Sequence, residues 1–277
     1  MSYTVHGYHH RGNVVHHGQN GLKLFTRQLL KTCVQGYRQI TMQPMGFPQN
    51  IPGGWMNMSQ GAVHIPPGLE YLSMINQLLI HQKSEYLVAF TGIETRNKYH
   101  IKNNLGQHIY YAREESDWFT RNYCGPTRPF HLRIFDSHKH EVIHLYRPLA
   151  GDNYNYSCSV QRIEVTLPPG HLVGTVEQDW SFHSQGFSVK NANGEFVLRI
   201  QGPCSGVSGW GDVNFDIISV DGSAKLGSIT KQWSGFAREA FTDADDFRIN
   251  FPMDLDVQIK AVVLGACFLI DMMYFER

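Results

Sequence analysis

The chain has 277 residues, with 24 Lys and Arg against 24 Asp and Glu, so its formal net charge is zero with His neutral. That balance excludes a strongly basic nucleic-acid binder as the default, and 42% hydrophobic against 17% charged residues excludes disorder throughout and supplies a sizeable core. Cys33, Cys124, Cys158, Cys204 and Cys267 are odd in number and form no CxxC pair, which excludes a disulfide scaffold or a zinc ribbon and points to a reducing compartment.

The zero is uneven along the chain. From Met1 to Leu69 there are five basic residues, Arg11, Lys23, Arg27, Lys31 and Arg38, and no acidic one before Glu70; the remainder carries 19 basic and 24 acidic groups. No secretory signal is expected, because the first residues lack a charged start followed by an apolar run. Between Gly21 and Cys33, Leu22, Phe25, Leu29 and Cys33 recur at helical spacing, with Lys23, Arg27 and Lys31 on a second stripe. Such a helix suits an anionic membrane surface, or docks on the body of the protein. The surrounding His6, His9, His10, His16 and His17 hold transition metals only in the loose way of histidine-rich tails. Pro66-Pro67-Gly68 does not continue a regular element, so residues 1–65 are expected to be a cationic, largely flexible segment and residues 66–277 the folded domain.

The folded part reads as strands. Hairpin signals stand at Asn103 to Gly106, at Asp136-Ser137-His138, at Asn193-Gly194 and at Asp221-Gly222. Phe130, Leu132 and Ile134, and likewise Phe196, Leu198 and Ile200, alternate with polar residues in the two-residue period of half-buried strands. About a dozen short strands at turn spacings of roughly ten residues predict a mainly β, antiparallel barrel or sandwich.

Within it lies a literal H-E-x-x-H, His140 to His144. Zinc proteases carry that motif on a helix, where residues four apart share a face. Here it follows a turn and runs into Leu145-Tyr146; on a strand the two histidines are about 13 Å apart, too far to share an ion. There is no Walker A, no G-x-S-x-G and no ordered G-x-G-x-x-G. Cys124 has no base paired with it in the sequence, so a structural or lipidated thiol is the simpler reading. The chain is expected not to be an enzyme.

The densest constellation runs from Thr242 to Asp256, with Asp243, Asp245, Asp246, Asp254 and Asp256 against the lone Arg248. Calcium takes several carboxylate and carbonyl oxygens, and Asp243, Asp245 and Asp254 fall at positions one, three and twelve of an EF-hand-length loop. Phe247 and Arg248 stand at positions five and six, and Phe247, Ile249 and Phe251 alternate like a strand. Spacing alone therefore leaves a weak calcium site, with a dissociation constant of about 10⁻⁴ to 10⁻³ M, and a solvated acidic strand both open. Ala261 to Ile270 is unbroken apolar sequence, continuing after Asp271 to Phe275. A helix over 261–275 reaches about 22 Å, short of a roughly 30 Å hydrocarbon core, and Asp271 is costly in lipid. Length favours a helix buried inside a closed barrel.

Arg238 to Glu276 resembles the C-terminal signature of the phospholipid scramblase family. Supporting stretches are Pro66 to Leu72, Thr91 to Lys98, Thr120 to Pro126 with Arg128 to Phe130, and Gln201 to Cys204. The resemblance covers Pro66 to Phe275 and implies a tubby-like closed antiparallel barrel of about 12 strands around the C-terminal helix. It further implies calcium-stimulated, ATP-independent, bidirectional movement of phospholipids between leaflets. Ca2+ would sit on Asp243, Asp245, Asp246 and Asp254, and a membrane helix would carry Ala261, Leu264, Phe268 and Ile270. The family's palmitoylation cluster is reduced here to Cys158, and one acyl chain anchors only marginally.

A family member is expected at the plasma membrane with a cytoplasmic bulk, on anionic lipid, with calcium-linked homo-oligomers. The resemblance also leaves a nuclear pool and a nucleic-acid partner open, although Lys225 to Gly235 is a thin import segment. The alternative is a lipid-binding, membrane-docked signalling or transcription-linked adaptor without transport of its own.

Overall fold

The structure, a computed structural model, describes residues 54–56, 65–82, 97–115, 129–148, 160–179, 185–203, 211–233 and 245–275, with Asp245 and Asp246 described by their backbone alone. All belong to a compact unit that runs from Gln49 to Arg277. A single helical turn, α1 (Glu70–Ser73), leads into twelve strands: β1 (Gln77–Gln82), β2 (Lys98–Lys102), β3 (His108–Glu115), β4 (Phe130–Phe135), β5 (Glu141–Arg147), β6 (Arg162–Leu167), β7 (His171–Gln178), β8 (Gly186–Asn191), β9 (Phe196–Gln201), β10 (Val213–Ile218), β11 (Lys225–Lys231) and β12 (Asp245–Asn250). The chain ends in α2 (Val257–Tyr274). Each strand pairs antiparallel with its sequence neighbours, and β1 pairs with β12 to close the barrel. Closure leaves no sheet edge unpaired.

The alternation read from the sequence sets the two faces in β4 and, in β9, buries Leu198 and Ile200 but not Phe196, which is 56% exposed beside a register shift between β8 and β9. Phe130, Leu132 and Ile134 of β4 are buried while His131 is exposed, as a two-residue period requires. All four hairpin signals are connections between consecutive strands. Short polar side chains close them by satisfying the turn's own amides. Asn103 Oδ1 accepts from the backbone N–H groups of Leu105 and Gln107, Asp136 Oδ1 from His138 and His140, and Asn191 Oδ1 from Asn193 and Glu195. Gly194 and Gly222 stand at φ +79° and +72°, backbone that glycine adopts without steric cost.

The barrel is filled by α2. The apolar run is buried on all sides, with Ala261, Leu264 and Ile270 at 0% exposure, so the sequence's reading of a core helix holds. The helix packs on β5, β6, β7, β8 and β12 and on α1. Two glycines permit the approach. A Cβ at Gly174 of β7 would lie 2.3 Å from the Lys190 carbonyl oxygen and 2.7 Å from Val262 Cγ2, and one at Gly265 would lie 2.8 Å from Val165 Cγ2. The helix begins four residues before the predicted Ala261. Asp256 caps it, its carboxylate accepting from the backbone N–H groups of Gln258 and Ile259, and a carboxylate there also answers the positive end of the helix dipole.

Candidate functional site

Two features meet where the acidic segment enters the helix. Strand β12 begins at Asp245 and carries Phe247 and Ile249 into the core, with Phe251 buried just beyond its end. The alternation predicted that extended course. Six residues of strand span roughly 16 Å, so Asp245 and Asp246 lie at one end of β12 while Asp254 lies in the turn past the other. The EF-hand-length spacing therefore does not become an EF-hand loop. Asp254 is exposed beside the exposed cap Asp256, and Asp243 lies outside the described residues. Among the described residues no three His, Cys, Asp or Glu side chains converge on a metal position.

The second feature is Lys260, one turn into α2 and 0% exposed. Its Nζ donates to three backbone carbonyls, those of Leu72 and Ile75 at 2.9 Å and of Met253 at 2.8 Å, and lies 5.1 Å from the centre of the Phe251 ring. The ammonium thus ties the helix start to α1, to the approach to β1 and to the acidic turn. Burial pushes its pKa down from 10.5 to about 8, and the charges of Asp254 and Asp256 hold it up, so it is protonated at neutral pH. Lys260 lies just outside the apolar stretch that the sequence singles out. Its signal was a lysine inside an otherwise apolar helix, which requires a private set of acceptors.

Further along α2, Asp271 is 5% exposed and accepts from Tyr99 Oη at 3.2 Å. Phe268 meets the Tyr99 ring edge-on at 4.9 Å. Tyr274 lies against Phe187 and Phe215, and Phe275 against Phe247. The proposed membrane residues Ala261, Leu264, Phe268 and Ile270 all face protein. By length and composition alone α2 is also long and apolar enough to cross a membrane, a condition that a buried core helix meets as well.

Other candidates fall apart or lie elsewhere. His140 is in the β4–β5 turn, 78% exposed and beside Asp136, Glu141 pairs with Arg133 at 2.9 Å, and His144 meets His131 across the strands. The H-E-x-x-H residues do not converge. Lys225 and Lys231 are the ends of β11, with Lys225 on Asp216 and Lys231 over Phe247, which ties the supposed import segment into the sheet. Cys267 is buried in α2. Cys33, Cys124, Cys158 and Cys204, the 21–33 helix and the five N-terminal histidines lie outside the described residues.

A closed antiparallel barrel whose interior is taken up by its own C-terminal helix, with an acidic segment leading into that helix, defines a helix-cored β-barrel protein. The Scramblase family profile matches residues 56–277. Mouse phospholipid scramblase 1 is 50% identical over 245 residues, covering 84% of this chain and 75% of that protein. Human phospholipid scramblase 1 is 53% identical over 222 residues, 80% of this chain and 70% of its own length, and human phospholipid scramblase 2 is 50% identical over 232 residues, with 84% and 77% covered. No solved structure matches significantly. The chain belongs to the scramblase family.

Proposed function

We propose that this protein moves phospholipids between the two leaflets of a membrane, in both directions and without ATP, acting as a lipid transporter rather than an enzyme. The observation that carries the reading is that the family match runs from residue 56 to residue 277 and so takes in both the acidic segment and the helix, alongside relatives named phospholipid scramblases at about half identity. Calcium stimulates the activity by binding Asp243, Asp245 and Asp246, the three carboxylates that precede Phe247 in the sequence. Asp254, in the turn past the end of β12, acts instead on the field around Lys260. The protein works at the cytoplasmic face of the plasma membrane, with Cys158 as a lipidated anchor and residues 1–65 adding cationic contacts to anionic lipid. A helix enclosed by its own barrel offers no polar path for a headgroup, so transport is the work of an oligomer.

The test uses purified protein in vesicles carrying labelled phospholipid, with and without calcium. Calcium is expected to accelerate exchange between leaflets for the wild type and for Asp254→Ala, and not for Asp243→Ala with Asp245→Ala. No acceleration of the wild type, or full acceleration of the double variant, refutes it.

The burial of α2 favours a second reading, a lipid-binding adaptor that docks its barrel on the membrane without transport. Flotation with anionic liposomes separates the two. Binding that salt reverses, together with no lipid exchange, supports the adaptor.

A further inference from the structure

His144 has a partner that the H-E-x-x-H pattern does not contain. Antiparallel pairing sets Arg133 of β4 opposite His144 of β5 and His131 opposite Tyr146, so His131 and His144 are diagonal neighbours on the outer face of the barrel. Nδ1 of His131 lies 3.0 Å from Nε2 of His144. The two rings are 5.1 Å apart and 28° from parallel, and Tyr146 stacks on His131 at 4.7 Å. Both backbones are held by the barrel, with Leu132 and Leu145 buried beneath.

We infer that His131 and His144 form a two-histidine chelate for a borderline divalent transition metal such as Zn2+, Ni2+ or Cu2+, distinct from any calcium site. Two nitrogens 3.0 Å apart, each about 2.1 Å from an ion, subtend about 90° at that ion. That is the angle between neighbouring positions of an octahedral or tetragonal shell, whose remaining positions water fills from the exposed side of His131. Calcium takes oxygen donors, so imidazole nitrogens select against it. Without metal the two nitrogens share one proton in a hydrogen bond; on chelation the ring that carries this proton switches tautomer, so that its proton sits on the other ring nitrogen and both facing nitrogens offer a lone pair to the ion.

The surroundings tolerate the charge. Arg133 is the nearby cation, and it is already paired at 2.9 Å with Glu115 and with Glu141. Burial, outweighing the Glu141 charge, lowers the pKa of His144, and so keeps its ring neutral and its lone pair available near pH 7.

Full-length protein, metal-free, is titrated with zinc, nickel or copper salts while its thermal unfolding is followed. Four proteins are compared: wild type, His131→Ala, His144→Ala and His140→Ala. The histidines before residue 54 are the same in all four, so their contribution cancels. At about a hundredfold excess over the dissociation constant, the wild type and His140→Ala are expected to gain several degrees in Tm. His131→Ala and His144→Ala lose that gain, because removing one arm of a chelate weakens binding by about 10²-fold. His131→Gln, which keeps a polar side chain of similar reach, behaves as His131→Ala and stands in should the alanine variant unfold. No gain in the wild type, a gain that persists without His131 or His144, or one that disappears without His140, overturns the site.

Discussion

At its N-terminal end α2 is held by polar groups, and at its C-terminal end mainly by rings. The Lys260 ammonium reaches three carbonyls from two other segments and the Asp256 carboxylate caps the first turn. The far end rests on Tyr274 and Phe275 against Phe187, Phe215 and Phe247, with one carboxylate, Asp271, on Tyr99. Aromatic contacts of that kind trade protein for lipid with little loss, since both are apolar. The Lys260 acceptors exist only in this barrel. The N-terminal end therefore encodes residence in the barrel, while the uncharged stretch Ala261 to Ile270 that follows would be compatible with either surrounding.

The largest expected effect comes from the helix–wall contact nearest the polar end. Gly174→Val would drive a side chain into the Lys190 carbonyl and Val262, and the first of these is backbone that cannot step aside. Destabilisation of about 3 kcal/mol or more is expected, read as a lowered midpoint in urea or as loss of soluble protein. Folding with an unchanged midpoint would show that the helix sits further from β7 than this geometry has it.

Lys260→Met tests the polar anchor itself. It keeps the length and removes the charge, leaving the carbonyls of Leu72, Ile75 and Met253 without their donor. A loss of about 2 to 4 kcal/mol in unfolding free energy is expected. Tyr99→Phe probes the other end and removes one donor to the buried Asp271 carboxylate, at a cost of about 1 to 2 kcal/mol. Were Tyr99→Phe the more damaging of the two, the contrast between the ends would be reversed.

The difference between the ends also shows what a sequence exposes. Hairpins were legible because Asn103, Asp136 and Asn191 accept from backbone two to four residues away and Gly194 takes the positive φ of its turn, and the alternating strands carry their own facing. The apolar stretch from Ala261 was legible for the same reason. Its true start was hidden because Lys260 finds acceptors at Leu72 and Ile75, far away in the chain, which no local pattern announces. The acidic block was legible as charge and, through the alternation of Phe247, Ile249 and Phe251, as a strand; its twelve-residue spacing would make a loop only if the chain turned, and β12 carries it straight. His131 and His144 come together through strand register, which the sequence leaves open until the pairing of β4 with β5 is known.

The smallest expected effect distinguishes an anchored ammonium from one that is merely enclosed. With its pKa lowered to about 8 from 10.5, Lys260 loses its proton in the folded state before the unfolded chain does. Between those two values the unfolded state binds more protons, so this group adds stability as pH rises through 8 and stops adding near 10.5. From pH 7 to pH 9 the gain is about 1 kcal/mol. The free-energy gap between the wild type and Lys260→Met, measured by urea unfolding at both pH values, is therefore expected to widen by that amount, since all other titrating groups are common to the pair. A gap that stays constant would mean that the three carbonyls offset the burial and hold the ammonium at its ordinary pKa. A gap that holds constant to pH 9 and then narrows between pH 9 and pH 11 would mean that they favour the charged form beyond what water does, making Lys260 a stronger lock on the helix than burial alone allows.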